Sequence, residues 1–297
     1  MAKQKLVMIG NGMAGLRTIE EILERSQSQF DITIIGKEPY PNYNRIMLSN
    51  ILQKKMTVED TIMNSYDWYQ ENNIELINND PVEKVDKENK IVTTSKGIEV
   101  EYDICIFATG SKAFVLPIPG SNLPSVIGWR TIDDTNKMIE IAQTKKRAVV
   151  IGGGLLGLEC ARGLLDQGME VTVLHLADWL MEMQLDRKAG DMLKADLEKQ
   201  GMKIELQANS KEIIGDKDVE AIKLADGRVI ETDLVVMAVG IRPYTEVAKD
   251  SGLDVNRGIV VNDYMQTSDS HIYAVGECAE HDGKVYGLVA PLYEQGK

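Results

Sequence analysis

The pattern that most constrains this chain is a strand–glycine–helix unit that occurs twice. Residues 6–15 read Leu-Val-Met-Ile-Gly-Asn-Gly-Met-Ala-Gly. The apolar run Leu6 to Ile9 predicts a buried strand, and Gly10, Gly12 and Gly15 fit G-x-G-x-x-G. Leu16, Ile19, Ile22 and Leu23 then share one helical face. The first glycine lets the strand turn sharply. The second lets backbone approach a pyrophosphate, and the third lets the helix pack close to the strand. The helix start offers N–H groups and a positive dipole end. One copy alone is equally well a tight turn. Residues 148–159, Ala-Val-Val-Ile-Gly-Gly-Gly-Leu-Leu-Gly-Leu-Glu, repeat the spacing with Gly152, Gly154 and Gly157. Leu155, Leu158, Ala161 and Leu165 mark the second helix, Gly168 its end, and Val171–Leu174 the next strand. Two such units imply two dinucleotide sites, one for a flavin and one for a nicotinamide.

The repeat extends further. Asp103–Gly110, ending Phe-Ala-Thr-Gly, is an apolar strand closed by a small-residue turn, and Asp233–Gly240 is a near-copy. Gly10 to Gly110 spans 100 residues and Gly152 to Gly240 spans 88, so each half carries glycine turn, β-meander and closing strand. Ile74–Ile77, Val82–Val85, Lys90–Thr94 and Ile98–Tyr102 read as a small antiparallel insertion. Residues 57–72 read as one amphipathic helix with Trp68 and Tyr69 in the core. Ser26–Gln29 is a polar connection, Asp31–Ile35 the second strand, and Ala290–Gly296 opens a further element. Pro117, Pro119 and Gly120 mark the way into the second half, and Arg242-Pro243 the way out.

Composition narrows the function classes. At 297 residues the length fits about two domains. The 33 Lys and Arg against 46 Asp and Glu give a net charge of −13 with no basic cluster, which argues against nucleic-acid binding. No apolar run reaches a membrane span of about 18 residues. Lys3 and Lys5 before an apolar stretch mimic a signal peptide, but that stretch holds the glycine turn and no cleavage site follows. A cytoplasmic location is expected. Cys105, Cys160 and Cys278 are far apart, without C-x-x-C, so no local metal or cluster site and no disulfide framework is expected.

Several positions carry two readings. Glu38 follows the second strand, where an acid holds ribose hydroxyls, and is equally well a solvated Glu. In Pro39-Tyr40-Pro41-Asn42-Tyr43-Asn44-Arg45, a turn-rich stretch, Arg45 either pairs with pyrophosphate or is a loop Arg. The Val171–Leu174 strand ends at His175, where an acid would select NADH and an Arg NADPH. With no Arg beside it, and with Asp178 and Glu182 downstream to oppose a phosphate, NADH is favoured.

The ordered motifs resemble the two-dinucleotide-binding flavoprotein reductases of the pyridine nucleotide-disulfide oxidoreductase fold. The resemblance sharpens at Pro39–Arg45, Leu48-Ser49, Trp129-Arg130-Thr131, Gly152–Glu159, Met183–Asp186, Gly276-Glu277-Cys278 and Gly287–Pro291. There it is to the N-terminal flavin module of bacterial assimilatory NAD(P)H-nitrite reductase large subunits. It implies an α/β fold of two Rossmann-like, glutathione-reductase-type domains, one inserted in the other, with the C-terminal interface domain absent. The FAD domain would cover 1–114 and 245–297, truncated at the C-terminus, and the NAD(P)H domain 115–244.

By the same resemblance, FAD would meet Gly10, Gly12, Met13, Ala14, Gly15, Glu38, Arg45, Ser49, Val82, Ala108, Thr109, Gly110, Arg130, Gly276 and Glu277. NAD(P)H would meet Gly152, Gly154, Leu155, Leu156, Gly157, Glu159, His175 and Gly240. Glu277 stands where the family has Asp, and Asn50 where related ferredoxin reductases have Lys. No Cys lies between Asn42 and Gln53, which disfavours the disulfide reductase and NADH peroxidase subclasses. The implied activity is hydride transfer from NAD(P)H to FAD, with no catalytic side chain demanded and no metal held by these residues. Electrons would pass to iron–sulfur and sirohaem domains for nitrite reduction to ammonia, with a small nitrite reductase subunit as a further partner. A rubredoxin or ferredoxin reductase is the alternative in the same class. A flavin-bound redox sensor or interaction module is the alternative in another.

Overall fold

The computed structural model describes residues 3–26 and 28–297. The expected polar connection Ser26–Gln29 includes Gln27, which lies outside them. The chain divides into two units. The first holds 1–44, 62–112 and 242–297, and the second holds 45–61 and 113–241.

In the first unit a parallel sheet runs in the order Ile272–Ala274, Ile104–Phe107, Gln4–Ile9, Phe30–Ile35, Ile74–Ile77. Leu6 pairs with Ile32 on one side and Ile104 on the other. Strands buried on both faces read as continuous apolar runs, and the side chains still alternate. Leu6 and Met8 pack with Leu16 and Ile19 of the helix Met13–Ser26. Val7 and Ile9 pack on the opposite face with Val92, Phe107 and Ile259. The glycine turn sits at the end of the central strand.

The second unit repeats the plan. Its parallel sheet is Val126–Gly128, Leu234–Met237, Arg147–Ile151, Glu170–Leu174, Lys203–Glu205. Each unit adds a three-stranded antiparallel meander: Val82–Asp86, Ile91–Thr94, Glu99–Glu101 in the first, Ser210–Ile214, Ala221–Leu224, Val229–Glu231 in the second. The outer strand beside the closing strand differs in origin. In the first unit it is Ile272–Ala274, which follows the whole of the second unit in the chain; in the second it is Val126–Gly128, which precedes the second turn.

Two expectations are corrected. Ile74–Ile77 is not part of the antiparallel insertion; it is the parallel edge strand beside Phe30–Ile35, and the insertion is the meander alone. Residues 57–72 are not one helix. Ile62–Asn64 is drawn out to pair with Asn42–Tyr43, and a new helix, Tyr66–Glu71, starts where the Ser65 side chain caps the Trp68 N–H. Tyr69 is buried as expected, with its phenol held by Asn11 and the Asn42 N–H, and Trp68 is half-buried.

Residues 45–61, which the expected 1–114 segment included, group with the second unit. The helix Leu48–Leu52 buries Leu48, Ile51 and Leu52. Leu52 fills the notch left by Gly163 in the helix Leu155–Asp166, and its carbonyl accepts the Gln167 side-chain N–H at 2.7 Å. A Cβ on Gly163 would stand 2.5 Å from Leu52 Cγ. Gly163→Val is therefore expected to cost about 1–3 kcal/mol and to speed protease cleavage within 45–61. An unchanged cleavage rate would mean that this segment does not rest on the helix.

Candidate dinucleotide sites

The two glycine turns match bond for bond. Gly10 donates its N–H to Ile35 O and Gly152 its own to Leu174 O, both at 2.8 Å. Ala108 and Ala238, in the closing strands, donate to Ile9 O and Ile151 O, both at 2.8 Å. Gly10 has φ +115° and Gly152 φ +121°, and a Cβ on either would run into the carbonyl oxygen of Ala108 or Ala238. Only glycine serves there. Gly15 lies against the Ala108 side chain, and Gly157 against the Gly152 carbonyl.

The second glycine of each triplet behaves in the opposite way. Nothing lies within 4 Å of the place a Cβ would take on Gly12 or Gly154. Each stands at a helix start, where the first helical acceptors are Gly12 O, for Leu16, and Gly154 O, for Leu158. The N–H groups of Met13, Ala14 and Gly15, and of Leu155, Leu156 and Gly157, precede those bonds in the helix. An open position before a row of helix-start N–H groups is what a pyrophosphate needs. Both turns fit a dinucleotide. Leu155 and Leu156 are exposed beside the second turn.

The middle residue of each turn is tied to the chain after the second strand. Asn11 accepts from the Tyr69 phenol and donates to Tyr40 O, and its carbonyl accepts from Asn42. Gly153 donates its N–H to His175 Nδ1 at 3.1 Å and accepts the Met181 N–H at 3.1 Å. His175 is buried, and its Nε2 lies 2.9 Å from the Glu182 carboxylate. His175 was expected to face a ribose or a phosphate. Instead both its ring nitrogens are engaged inside the unit.

The other expected residues of the first unit cluster around the closing strand. Thr109 donates its hydroxyl to Tyr244 O at 2.8 Å, and Gly110 accepts the Tyr244 N–H at 2.9 Å. Gly276, at φ +85°, stands close to Ala14, and its N–H reaches the Gln295 side chain at 2.8 Å. Glu277 accepts the Ser111 hydroxyl at 2.7 Å. Glu38 accepts the Tyr43 phenol at 2.7 Å, which aims its carboxylate. Val82 opens the meander opposite Thr94. Tyr43, Ser111, Tyr244 and Gln295 are the supporting residues that sequence reading missed. Each pairs across the fold, except Tyr43, whose place in the turn-rich stretch was visible.

Three residues expected around FAD belong to the second unit: Arg45, Ser49 and Arg130. Arg45 donates to the Arg130 carbonyl at 3.2 Å, and the Arg130 N–H donates to Asp134 at the start of the helix Ile132–Thr144. Ser49 donates its hydroxyl to Ile46 O at 3.4 Å and acts on the Glu159 carboxyl. Gly240, at φ +109°, accepts the Phe114 N–H at 2.9 Å.

Burial holds the Glu159 carboxyl above the usual range, opposed in part by the Ser49 hydroxyl. A raised carboxyl stabilises the fold fully below its ordinary value of 4.5 and loses that contribution as pH rises through the folded value. Glu159→Gln is therefore expected to melt slightly above the parent at pH 7, on the order of 1 °C. The gap should close below about pH 4.5. A gap that widens in acid would contradict the assignment.

All three cysteines are buried and free, and burial pushes each thiol above its ordinary range. Such thiols are poor nucleophiles. Among the described residues no group of three or more His, Cys, Asp or Glu is placed to hold a metal, and no helix is long and apolar enough to cross a membrane.

Residues 4–296 match the pyridine nucleotide-disulphide oxidoreductase family. The chain belongs to that family. Membership brings FAD and NAD(P)H as cofactors and oxidoreduction as the class of chemistry. The chain is 58% identical over all its residues to a nitrite reductase [NAD(P)H] of Bacillus subtilis, of which it covers 37%. It is 48% identical over its whole length to the assimilatory nitrate reductase electron transfer subunit of the same organism, covering 38%. The chain thus spans little more than a third of these two relatives. Among solved structures, an NAD-dependent persulfide reductase from A. fulgidus superposes with a TM-score of 0.92 at 28% identity, over 98% of this chain and 57% of that one.

Proposed function

We propose that the chain is the NAD(P)H-oxidising flavin module of a nitrite reductase, held in the cytoplasm, that hands electrons to iron–sulfur and sirohaem centres beyond these residues. The observation that carries this is the doubled glycine turn in a chain that shares 58% of its residues with a nitrite reductase. FAD, when bound, accepts hydride from the reduced nicotinamide and releases electrons one at a time.

The chain's own residues bind and orient. In the first unit Gly12 leaves room for pyrophosphate, and the N–H groups of Met13, Ala14 and Gly15 face it. Glu38, aimed by Tyr43, accepts ribose hydroxyls. Thr109 and Gly110, tied to Tyr244, and Glu277, tied to Ser111, form a rigid wall beside the flavin. In the second unit Gly154 and the N–H groups of Leu155, Leu156 and Gly157 hold the NAD(P)H pyrophosphate, with Glu159 one turn further on. No buried cysteine takes part.

The test is the visible spectrum of the FAD-loaded chain before and after anaerobic NADH. Flavin bands that bleach with NADH, and turn over repeatedly with ferricyanide, are the expected result. No flavin bands after addition of FAD would overturn the reading. A bound flavin that NADH never reduces would favour the sensor. The likeness to a nitrate reductase electron transfer subunit supports a second reading, in which the final acceptor is a nitrate reductase. Electron delivery to each isolated partner centre separates the two.

A further inference from the structure

In a dinucleotide-binding unit the acid that accepts the adenosine ribose hydroxyls stands at the end of the second strand. In the second unit that place holds His175, and the ring is not available to a ribose. Its Nδ1 accepts the Gly153 N–H, so that nitrogen carries no proton. The ring proton is therefore on Nε2, aimed at Glu182 2.9 Å away. Met181, next to Glu182, donates its N–H to the Gly153 carbonyl. Gly153 is thus held from both sides, by the ring and by the segment that bears Glu182. A Cβ on Gly153 would stand 2.7 Å from both His175 Cγ and Leu180 Cδ2, so the ring and segment lie directly against the turn. Leu180 is fully buried, which anchors the segment, while the Glu182 side chain keeps about a third of its surface in solvent, at 34%.

We propose that Glu182, steered by His175, is the acid that receives the adenosine ribose hydroxyls in the second unit and sets a preference for NADH over NADPH. The inference rests on reading the second glycine turn as a nucleotide site. A carboxylate accepts from both hydroxyls of a ribose diol. It repels a 2′-phosphate. Arg187, the basic residue nearest to Glu182 in sequence, is engaged by Asp178 at 3.0 Å and by Asp191 at 3.8 Å. His175 is a positioning residue: it fixes where the carboxylate stands and contributes no charge of its own.

The experiment measures binding of 5′-AMP and 2′,5′-ADP, the adenosine ends of NADH and NADPH, to the FAD-loaded chain by calorimetry. Steady-state constants for both coenzymes accompany it. The parent is expected to bind 5′-AMP more tightly. Glu182→Gln should weaken 5′-AMP about tenfold and close the gap to 2′,5′-ADP, raising KM for NADH with kcat unchanged, as loss of uniform binding does. Adding His175→Glu to Glu182→Gln puts a carboxylate back at the strand end and should restore the preference. Glu182→Ala, melted in parallel, guards against a folding artefact. An unchanged 5′-AMP to 2′,5′-ADP ratio in Glu182→Gln would overturn the assignment of Glu182 alone. Binding of neither mononucleotide to the parent would overturn the nucleotide reading of the turn, and this inference with it.

Discussion

Gly154→Glu is expected to keep the flavin bands of the parent and to lose reduction by NADH by about a hundredfold or more, the equivalent of about 2.7 kcal/mol. Gly12→Glu is expected to do the reverse: it should purify without flavin while its second unit still binds 5′-AMP. Of the six glycines in the two triplets, these two have nothing beside them. Neither has a positive φ, and Gly154 sits at φ −84° as the N-cap of its helix. Nothing lies within 4 Å of a Cβ on either, so a larger residue displaces no protein atom. It fills the ligand's place. The added carboxylate also stands before the helix-start N–H groups, which then serve it in place of a phosphate. Absorbance after purification, stopped-flow bleaching by NADH, and melting curves read the three consequences separately. If Gly154→Glu melted well below the parent, or if Gly12→Glu retained full flavin, the two open positions would not be the phosphate seats.

Much of this was legible because the fold is written twice. One glycine turn is ambiguous, but two copies with the same strand before, helix after and closing strand later specify both parallel sheets. The structure bears out that repeat down to single hydrogen bonds. What escaped reading has a common physical cause. Ile62–Asn64 and Ile74–Ile77 are short apolar runs, and a short run does not reveal whether its partner is a meander or a sheet edge. Their partners, Asn42–Tyr43 and Phe30–Ile35, are set by the tertiary fold. The Ser65 cap was a local signal that residues 57–72 could not be one helix, and the amphipathic pattern masked it. Residues 45–61 look continuous with the first unit, and the contacts that group them with the second, such as Leu52 on Gly163 and Arg45 on the Arg130 carbonyl, have no sequence period. At the site, Gly10, Gly12, Gly152 and Gly154 were readable from spacing alone. Tyr43 on Glu38, Tyr244 on Thr109 and Ser111 on Glu277 were not, because such pairs have no sequence period. His175 was singled out by its place, and the structure adds two ring partners, Gly153 and Glu182, that the sequence did not show. Its strand-end position showed in the sequence, while the Gly153 N–H that occupies Nδ1 is a backbone group without any signature.

Gly157→Ala is expected to destabilise the second unit by about 2–4 kcal/mol. This reverses the usual sign, since in an open helix interior Ala is better than Gly by about 1 kcal/mol. Gly157 lies in the first turn of the helix Leu155–Asp166, and a Cβ there would run into the Gly152 carbonyl oxygen, with the carbonyl carbon at 2.9 Å. Neither partner can give way easily. Gly152 is fixed by its N–H bond to Leu174 and by a φ that suits glycine alone. The helix must therefore lift from the strand, and its buried Leu158, Ala161 and Leu164 lift with it. The equivalent change in the first unit, Gly15→Ala, should cost less. There the nearest atoms are side-chain atoms, Ala108 Cβ at 2.8 Å and Met8 Sδ at 3.2 Å, and the thioether can rotate away. Calorimetric melting should show the Gly157→Ala transition about 6–10 °C below the parent, and Gly15→Ala between the two. Equal losses at both sites would mean that the backbone contact at Gly157 is relieved as easily as the side-chain contact at Gly15. A gain at Gly157 would remove the physical basis for reading the triplet as a nucleotide-binding turn.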